Sequence, residues 1–266
     1  MNKYVLGVRG HDYGKGDVKE IFSHIKQDGW KCTQLAIRKL VAGVNSYEDI
    51  TPEVVAAVQA AMKEVELDIA VLGTYVELGS LDPVRRQKDV ADFISQIPVC
   101  KALGASCMGS ETTHFDEKNG NVTRDDAVKE LLKSLDTIMP EAERHGVVVA
   151  LEPVWVHTMN TVETTRKVID CIKSPNLKVI FDPANMLSPQ WADKQDDLYK
   201  RAMDSWGSLI TAVHFKHVDT SGVDYRAVFN ALNELPQQII PVLREGADPT
   251  IPQQEQEMML QFMHMF

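Results

Sequence analysis

Glu152, Asp182, His214 and Glu245 are the side chains from which a chemical reading of this chain starts. Each ends an apolar run: "VVVALEP", "LKVIFDP", "LITAVHFKH" and "IIPVLREG". Three carboxylates brought together with one imidazole repel one another and are costly to strip of water. A divalent cation among them removes that cost. Oxygen-rich ligation with one nitrogen suits Mn²⁺, Mg²⁺ or Co²⁺ better than a structural zinc, which prefers Cys and His. Such a cation stabilises the enediolate formed when a proton leaves a hydroxyl-bearing carbon beside a carbonyl. Glu152 and Glu245, on opposite sides of a substrate, then suit the catalytic pair: one takes the proton and the other returns it on the far face. Return to the same carbon is epimerisation, and return to its neighbour is aldose–ketose isomerisation. Loss of a β-hydroxyl is dehydration. Each residue also has a plainer reading. Asp182 before Pro183 suits a turn cap, Glu152 a solvated strand end, His214 a hydrogen-bonded core histidine and Glu245 a loop acid before glycine.

The elements that must position these groups alternate along the whole chain. Short β-rich runs are read at 4–8, 32–37, 68–73, 105–109, 147–151, 177–181, 209–215 and 239–243. Stretches of helical period follow them at 17–29, 51–67, 83–103, 124–146, 161–173, 191–206, 224–235 and 251–265. The second opens with Thr51, Pro52 and Glu53, a cap followed by good first-turn residues. Alternation of this kind implies parallel pairing, and the continuous apolar runs imply strands covered on both faces. Eight even units without a linker predict a single α/β domain over 1–266, a (β/α)8 TIM barrel. A doubly wound open sheet is the competing architecture, and the chain lacks the Gly-rich fingerprint after its first strand.

In such a barrel the chemistry sits at the C-terminal ends of the strands. Strand alternation puts Ala150 with Glu152, Ile180 with Asp182, Ala212 with His214 and Lys216, and Leu243 with Glu245. If those faces point inward, the four groups converge at the mouth. His11, His157, Lys216 and Glu111 are the candidates for substrate hydroxyls or phosphate, with Tyr75, Glu77 and His114 nearby in the pattern. Trp155 is placed to pack on a sugar or between units, and Trp30 reads mainly as filler. The methionines of "EMMLQFMHM" have helical spacing and suit packing on the barrel or a homo-oligomer contact.

Composition limits the partners. The formal charge is −10 and the pI about 5.3, which opposes a nucleic-acid or anionic-membrane partner. A hydrophobic share of 44% and a charged share of 25% are ordinary for a soluble domain. No apolar run approaches the roughly 18 residues of a membrane span. The start "MNKYVLGVRG" has no signal-peptide pattern, so a cytoplasmic protein is expected. Cys32, Cys100, Cys107 and Cys171 form no C-x-x-C pair and read as small buried hydrophobes in a reducing compartment.

The segments "VVVALEPVWVHTMNTVETTRKVIDCIKSPNLKVIFDPANML", "AVHFKHVDTSGVDYRAVFNALNE" and "IIPVLREG" resemble the xylose isomerase-like TIM-barrel superfamily. They are most similar to its sugar phosphate isomerase/epimerase branch, and the first half of the chain matches mainly in unit spacing. The resemblance implies that Glu152, Asp182, His214 and Glu245 hold the metal. It also implies that the two glutamates double as acid and base, and that the substrate is a small sugar, sugar phosphate or cyclitol. Lys216 fits the His-x-Lys pattern of the branch. Three positions depart from it. Asn185 stands where ketose 3-epimerases have histidine, Thr220 where they have arginine, and His217 where an acid is common. The endonuclease IV class shares the fold but needs nine zinc ligands, which "DPAN" and "LGTY" do not supply. The resemblance leaves two alternatives: an inosose-type dehydratase on the same metal site, and a non-catalytic sugar-binding barrel that kept that site.

Overall fold

The apolar runs pair in chain order and close on themselves. A computed structural model describes residues 3–116, 122–236 and 239–263. Among them, the strands are β1 (Tyr4–Arg9), β2 (Cys32–Leu35), β3 (Asp68–Gly73) and β4 (Cys107–Glu111), then β5 (Val149–Glu152), β6 (Leu177–Phe181), β7 (Ile210–Phe215) and β8 (Ile240–Arg244). They form one closed barrel in the order β1 to β8. Every neighbouring pair is parallel, and β8 returns to β1 through five registered pairs from Tyr4–Ile240 to Val8–Arg244. The expected (β/α)8 barrel is the observed fold.

Strand alternation fills the barrel. Cys32, Val71, Cys107, Ala150, Ile180, Ala212 and Leu243 make a buried cluster inside the ring, separate from the larger core between strands and helices. Two glycines make room for it. A Cβ on Gly7 would meet Cys32 Sγ at 2.5 Å, and one on Gly109 would meet Val71 and Ile180 side-chain atoms at 2.5 and 2.6 Å. Ala150, Ile180, Ala212 and Leu243 all lie in this layer. The residues two further along therefore point to the mouth on the same inner face.

The helices start where their caps say. Thr51 accepts from the Val54 N–H before Pro52–Val65, and Thr123 and Asp126 form a reciprocal capping box before Arg124–His145. The stretch read as one helix over 83–103 is two, Pro83–Ser95 and Ile97–Leu103. Pro98 lacks an N–H and crowds the preceding turn, so the helix stops and restarts there. Helix 191–206 begins only at Gln195, after a 3-10 turn at Pro189–Trp191. The second strand stops at Leu35 rather than residue 37, and Ile37–Leu40 is a helical turn. Strands four and five start two residues later than their apolar runs suggest, at Cys107–Glu111 and Val149–Glu152. Glu111 is thus the last residue of its strand rather than a loop residue, and Glu152 ends its strand but is buried rather than solvated. The last helix spans Pro252–Met263, and the end of the expected 251–265 lies outside the described residues. Three cysteines are buried as expected, but Cys171 is exposed, on the outer face of helix Val162–Ile172. Trp30 is a buried filler whose indole donates to Tyr13 Oη at 2.9 Å. Among the described residues no helix is long and apolar enough to cross a membrane.

Candidate metal centre and active site

The strand ends bring the predicted groups together. His214 Nδ1 lies 3.3 Å from Glu152 Oε2, 3.6 Å from Asp182 Oδ2 and 3.6 Å from Glu245 Oε1. Glu152, Asp182 and His214 are buried, and each offers a ligand atom within 4.8 Å of the other two. Glu245, just after β8, reaches the same imidazole nitrogen.

Two of the plainer readings also hold, and they sharpen the chemical one. Asp182 caps the helical turn Pro183–Met186, its Oδ1 accepting from the Asn185 N–H at 2.9 Å. Its buried Oδ2 faces the Lys216 ammonium at 3.0 Å and the His214 ring at 3.6 Å. His214 is a hydrogen-bonded core histidine through Nε2, 2.8 Å from Gln34 Oε1. The Gln34 amide in turn donates to Tyr75 Oη at 2.7 Å, which orients its carbonyl to accept from the ring. The proton of a neutral imidazole is therefore held on Nε2, leaving the Nδ1 lone pair facing three carboxylates. Nδ1 is buried and without a hydrogen bond. A cation ligated by Glu152, Asp182 and His214 gives the orphaned Nδ1 a partner and shares Asp182 Oδ2 with the Lys216 ammonium, so the donor set fits a divalent metal.

Electrostatics point the same way. Burial alone would lower the His214 pKa, but Glu245, Glu152 and Asp182 drive it well above its ordinary 6.5. Burial raises Glu152 despite the opposing imidazole. Asp182 is held low, because His214, Lys216 and the Asn185 N–H outweigh the burial penalty. Glu111, whose Cα is registered with that of Glu152 across β4 and β5, is pushed up to about 7 by burial and by the charges of Glu152 and Glu245. Without a cation the cluster retains protons.

The other predicted residues divide into two groups. Lys216 is committed to the cluster: its Nζ is 3.0 Å from Asp182, 3.7 Å from Glu245 and 2.5 Å from Asn185 Oδ1. Asn185 then donates to Glu152 Oε1 at 2.5 Å, so one carboxylate oxygen is fixed while Oε2 faces His214. Glu111 and His157 lie together on the β4–β5 side, with Oε2 and Nδ1 3.6 Å apart. They share a 380 Å³ cavity with Tyr75, Glu77 and His114. Burial and the neighbouring His114 lower His157 to about 4, and burial with Arg9 and Lys39 does the same for His11. Both rings are thus neutral donors or acceptors near neutral pH. His11 sits across the mouth, edge-on to Tyr75 with ring centres 6.4 Å apart.

Some supporting residues escape a reading of the sequence. Arg9 ends β1 on the inner face, 3.5 Å from Glu245, and binds Asp12 through Nε and Nη2 at 2.9 and 2.7 Å. Asp12 accepts from the N–H groups of Gly246 and Ala247 at 2.7 and 3.2 Å, fixing the loop that carries Glu245. Gln34 had one available signal, a polar residue two positions after Cys32 on the inner face of an apolar strand.

Comparison with known proteins places the fold. A family model described as xylose isomerase-like TIM barrel matches residues 22–261. No curated protein matches in sequence. The apo crystal structure of 3-keto-D-glucoside 4-epimerase YcjR from E. coli superimposes with a TM-score of 0.77 at 20% identity, over 96% of this chain and 98% of that one. A D-psicose 3-epimerase from Clostridium cellulolyticum H10, solved with D-tagatose, gives 0.76 at 14% identity, over 97% and 98%. The IolI protein, solved with a bound zinc atom, gives 0.75 at 14%, over 97% and 98%.

Proposed function

The chain belongs to the xylose isomerase-like TIM-barrel family, and on that premise we propose that it is a divalent-metal-dependent sugar epimerase or isomerase. It works by moving a proton on the carbon beside a carbonyl. Epimerase activity in the structural neighbours supports the reaction class. The observation that carries the reading is the buried, unbonded His214 Nδ1 facing Glu152, Asp182 and Glu245.

Glu152, Asp182 and His214 would hold the cation, with Glu245 in reach as a fourth ligand. Bound there, the metal supplies Lewis-acid stabilisation of negative charge on substrate oxygen. The protein's groups do the rest. Glu152 at the end of β5 and Glu245 just after β8 both reach His214 Nδ1 and serve as the proton acceptor and donor. Asn185 fixes Glu152 Oε1, and Arg9 with Asp12 fixes Glu245 and its loop. Lys216 offsets carboxylate charge and offers an ammonium to a substrate hydroxyl. Glu111, His157 and His11 are the remaining substrate contacts. A small sugar, sugar phosphate or cyclitol in a cytoplasmic setting fits this site. Manganese, magnesium and cobalt suit the oxygen-rich set, and zinc joins the test because IolI holds it.

Incubation with each metal and a panel of ketoses and inososes in heavy water tests the reading. The expected result is deuterium at the carbon beside the carbonyl, with an epimeric or isomeric product. Sugar binding without exchange would make the protein a non-catalytic barrel. An unsaturated, dehydrated product would make it a dehydratase on the same site.

Metal binding also has a pH signature. The metal-free cluster holds a proton because His214 is raised. Stability from that proton is fully present below the unfolded histidine pKa and is lost as pH rises through the raised folded value. A bound cation must displace it, so metal affinity climbs with pH. The rise in Tm on adding Mn²⁺ is therefore expected to be larger at about pH 8 than at about pH 6. A metal-dependent Tm shift that is the same at both would remove His214 from the ligand set.

A further inference from the structure

A cavity of about 740 Å³ beside the cluster has no role in the proton transfer described above. Its walls are the loops leaving β4, β5 and β6, so it opens at the same end of the barrel. Trp155 lies three residues beyond Glu152 and Met186 four beyond Asp182. The Trp155 N–H donates to the Asn185 carbonyl at 2.8 Å, and the Phe115 N–H donates to the Val156 carbonyl at 2.9 Å. The aromatic wall is thereby tied to the residue that holds Glu152 and to the loop after β4. His114 lines this cavity and also the 380 Å³ one that contains Glu111 and His157. The two are adjoining chambers of one mouth.

The lining has the chemistry of a ring-binding site. Trp155 is 40% exposed, and Trp191 lines the same cavity. Asn160, Gln190 and Ser188 also line it, and the buried Ser188 hydroxyl makes no hydrogen bond. Flat apolar faces with edge hydrogen-bonding groups suit a pyranose or an aromatic ring. Neither Glu152 nor Glu245 lines this space, so a single sugar held at the cluster does not account for it.

We propose that this cavity is a second subsite, and that the substrate is a glycoside whose attached ring stacks on Trp155 while its keto-sugar ring lies at the cluster. The proposal rests on the epimerase or isomerase reading and narrows it. A ring locked at its anomeric carbon does not open, so the carbonyl must sit on a ring carbon. The proton removed from the adjacent carbon then returns to that carbon on the other face. Atoms balance without a co-reactant, and the outcome is epimerisation rather than aldose–ketose exchange.

Tryptophan fluorescence of the metal-free protein tests the subsite apart from catalysis. Trp30 and Trp206 are fully buried, so sugar-dependent changes report Trp155 and Trp191. The probes are glucose, cellobiose and phenyl β-D-glucopyranoside. At least one two-ring probe is expected to bind about tenfold more tightly than glucose. Trp155→Ala should abolish that preference with its Tm unchanged, since the side chain is at the surface. Tighter cellobiose binding alone identifies a sugar as the second ring, and tighter phenyl glucoside binding alone an aromatic aglycone. Equal affinities for all three, no saturable signal for either two-ring probe, or a preference that survives Trp155→Ala would overturn the proposal. Hydrogen exchange into free ketoses can succeed or fail independently, so the subsite and the reaction are judged separately.

Discussion

Glu152→Gln is expected to cut the proposed epimerisation by about 10²–10⁴-fold, the usual contribution of a positioned acid–base group. The replacement keeps the shape of the side chain. A glutamine carbonyl can still accept from Asn185 Nδ2, which holds Glu152 Oε1 at 2.5 Å. Its amide would then face His214 Nδ1, where Glu152 Oε2 now lies at 3.3 Å. What is lost is basicity and one anionic ligand. Loss of metal alone would mimic this result, so metal content must be measured on the same sample. A metal-loaded Glu152→Gln protein separates the roles. With two bases on opposite faces, it should still exchange the proton of the epimer that faces Glu245, while failing to exchange the other. Glu245→Gln should show the mirror pattern. Full turnover in either metal-loaded variant would remove that glutamate from the acid–base pair. Equal loss of exchange for both epimers in each variant would favour one base acting on both faces.

The sequence allowed this pair to be named because barrel strands repeat every second residue. Ala150, Ile180, Ala212 and Leu243 are apolar residues that fill the ring, and each is followed two places later by a metal-capable group. That pattern is local, within five residues on each strand, so it survives without a structure. Composition, caps and the regular alternation of units fixed the barrel in the same way. The partners of the site were hidden for the opposite reason. Gln34 reaches His214 across 180 positions, and Asp12 reaches Gly246 across 234. Such contacts exist only because β1, β2, β7 and β8 are neighbours at the closure of the ring. Helix breaks were missed where proline overrode a continuous apolar period, as at Pro98. Asn185 could be seen as a departure from the ketose 3-epimerase pattern. Its bridging of Lys216 to Glu152 could not be read from one dimension.

The last helix contributes more than apolar packing, and Glu255→Ala is expected to destabilise the protein by about 3–5 kcal/mol. Arg244 follows the interior residue Leu243, so alternation turns its side chain outward into the core, where it is 0% exposed. Glu255 meets it there with two hydrogen bonds, Nε to Oε2 at 2.6 Å and Nη2 to Oε1 at 3.0 Å. Arg244 Nη1 also donates to the carbonyl of Glu245. Truncating Glu255 leaves a guanidinium buried without its counter-charge, which is the costly way to break such a pair. At roughly 2–4 °C per kcal/mol for a chain near this size, Tm should fall by about 6–20 °C. Replacing both partners with leucine removes the stranded charge and should recover most of that loss. Activity should not recover with it. The Glu245 backbone would lose the hydrogen bond from Arg244, and in the proposed mechanism a less firmly held Glu245 lowers kcat even in a stable barrel. A Glu255→Ala protein within about 1 kcal/mol of the parent would show that water reaches Arg244. A double-leucine protein with parental kcat would show that Asp12 and Arg9 hold Glu245 in place without help from the last helix.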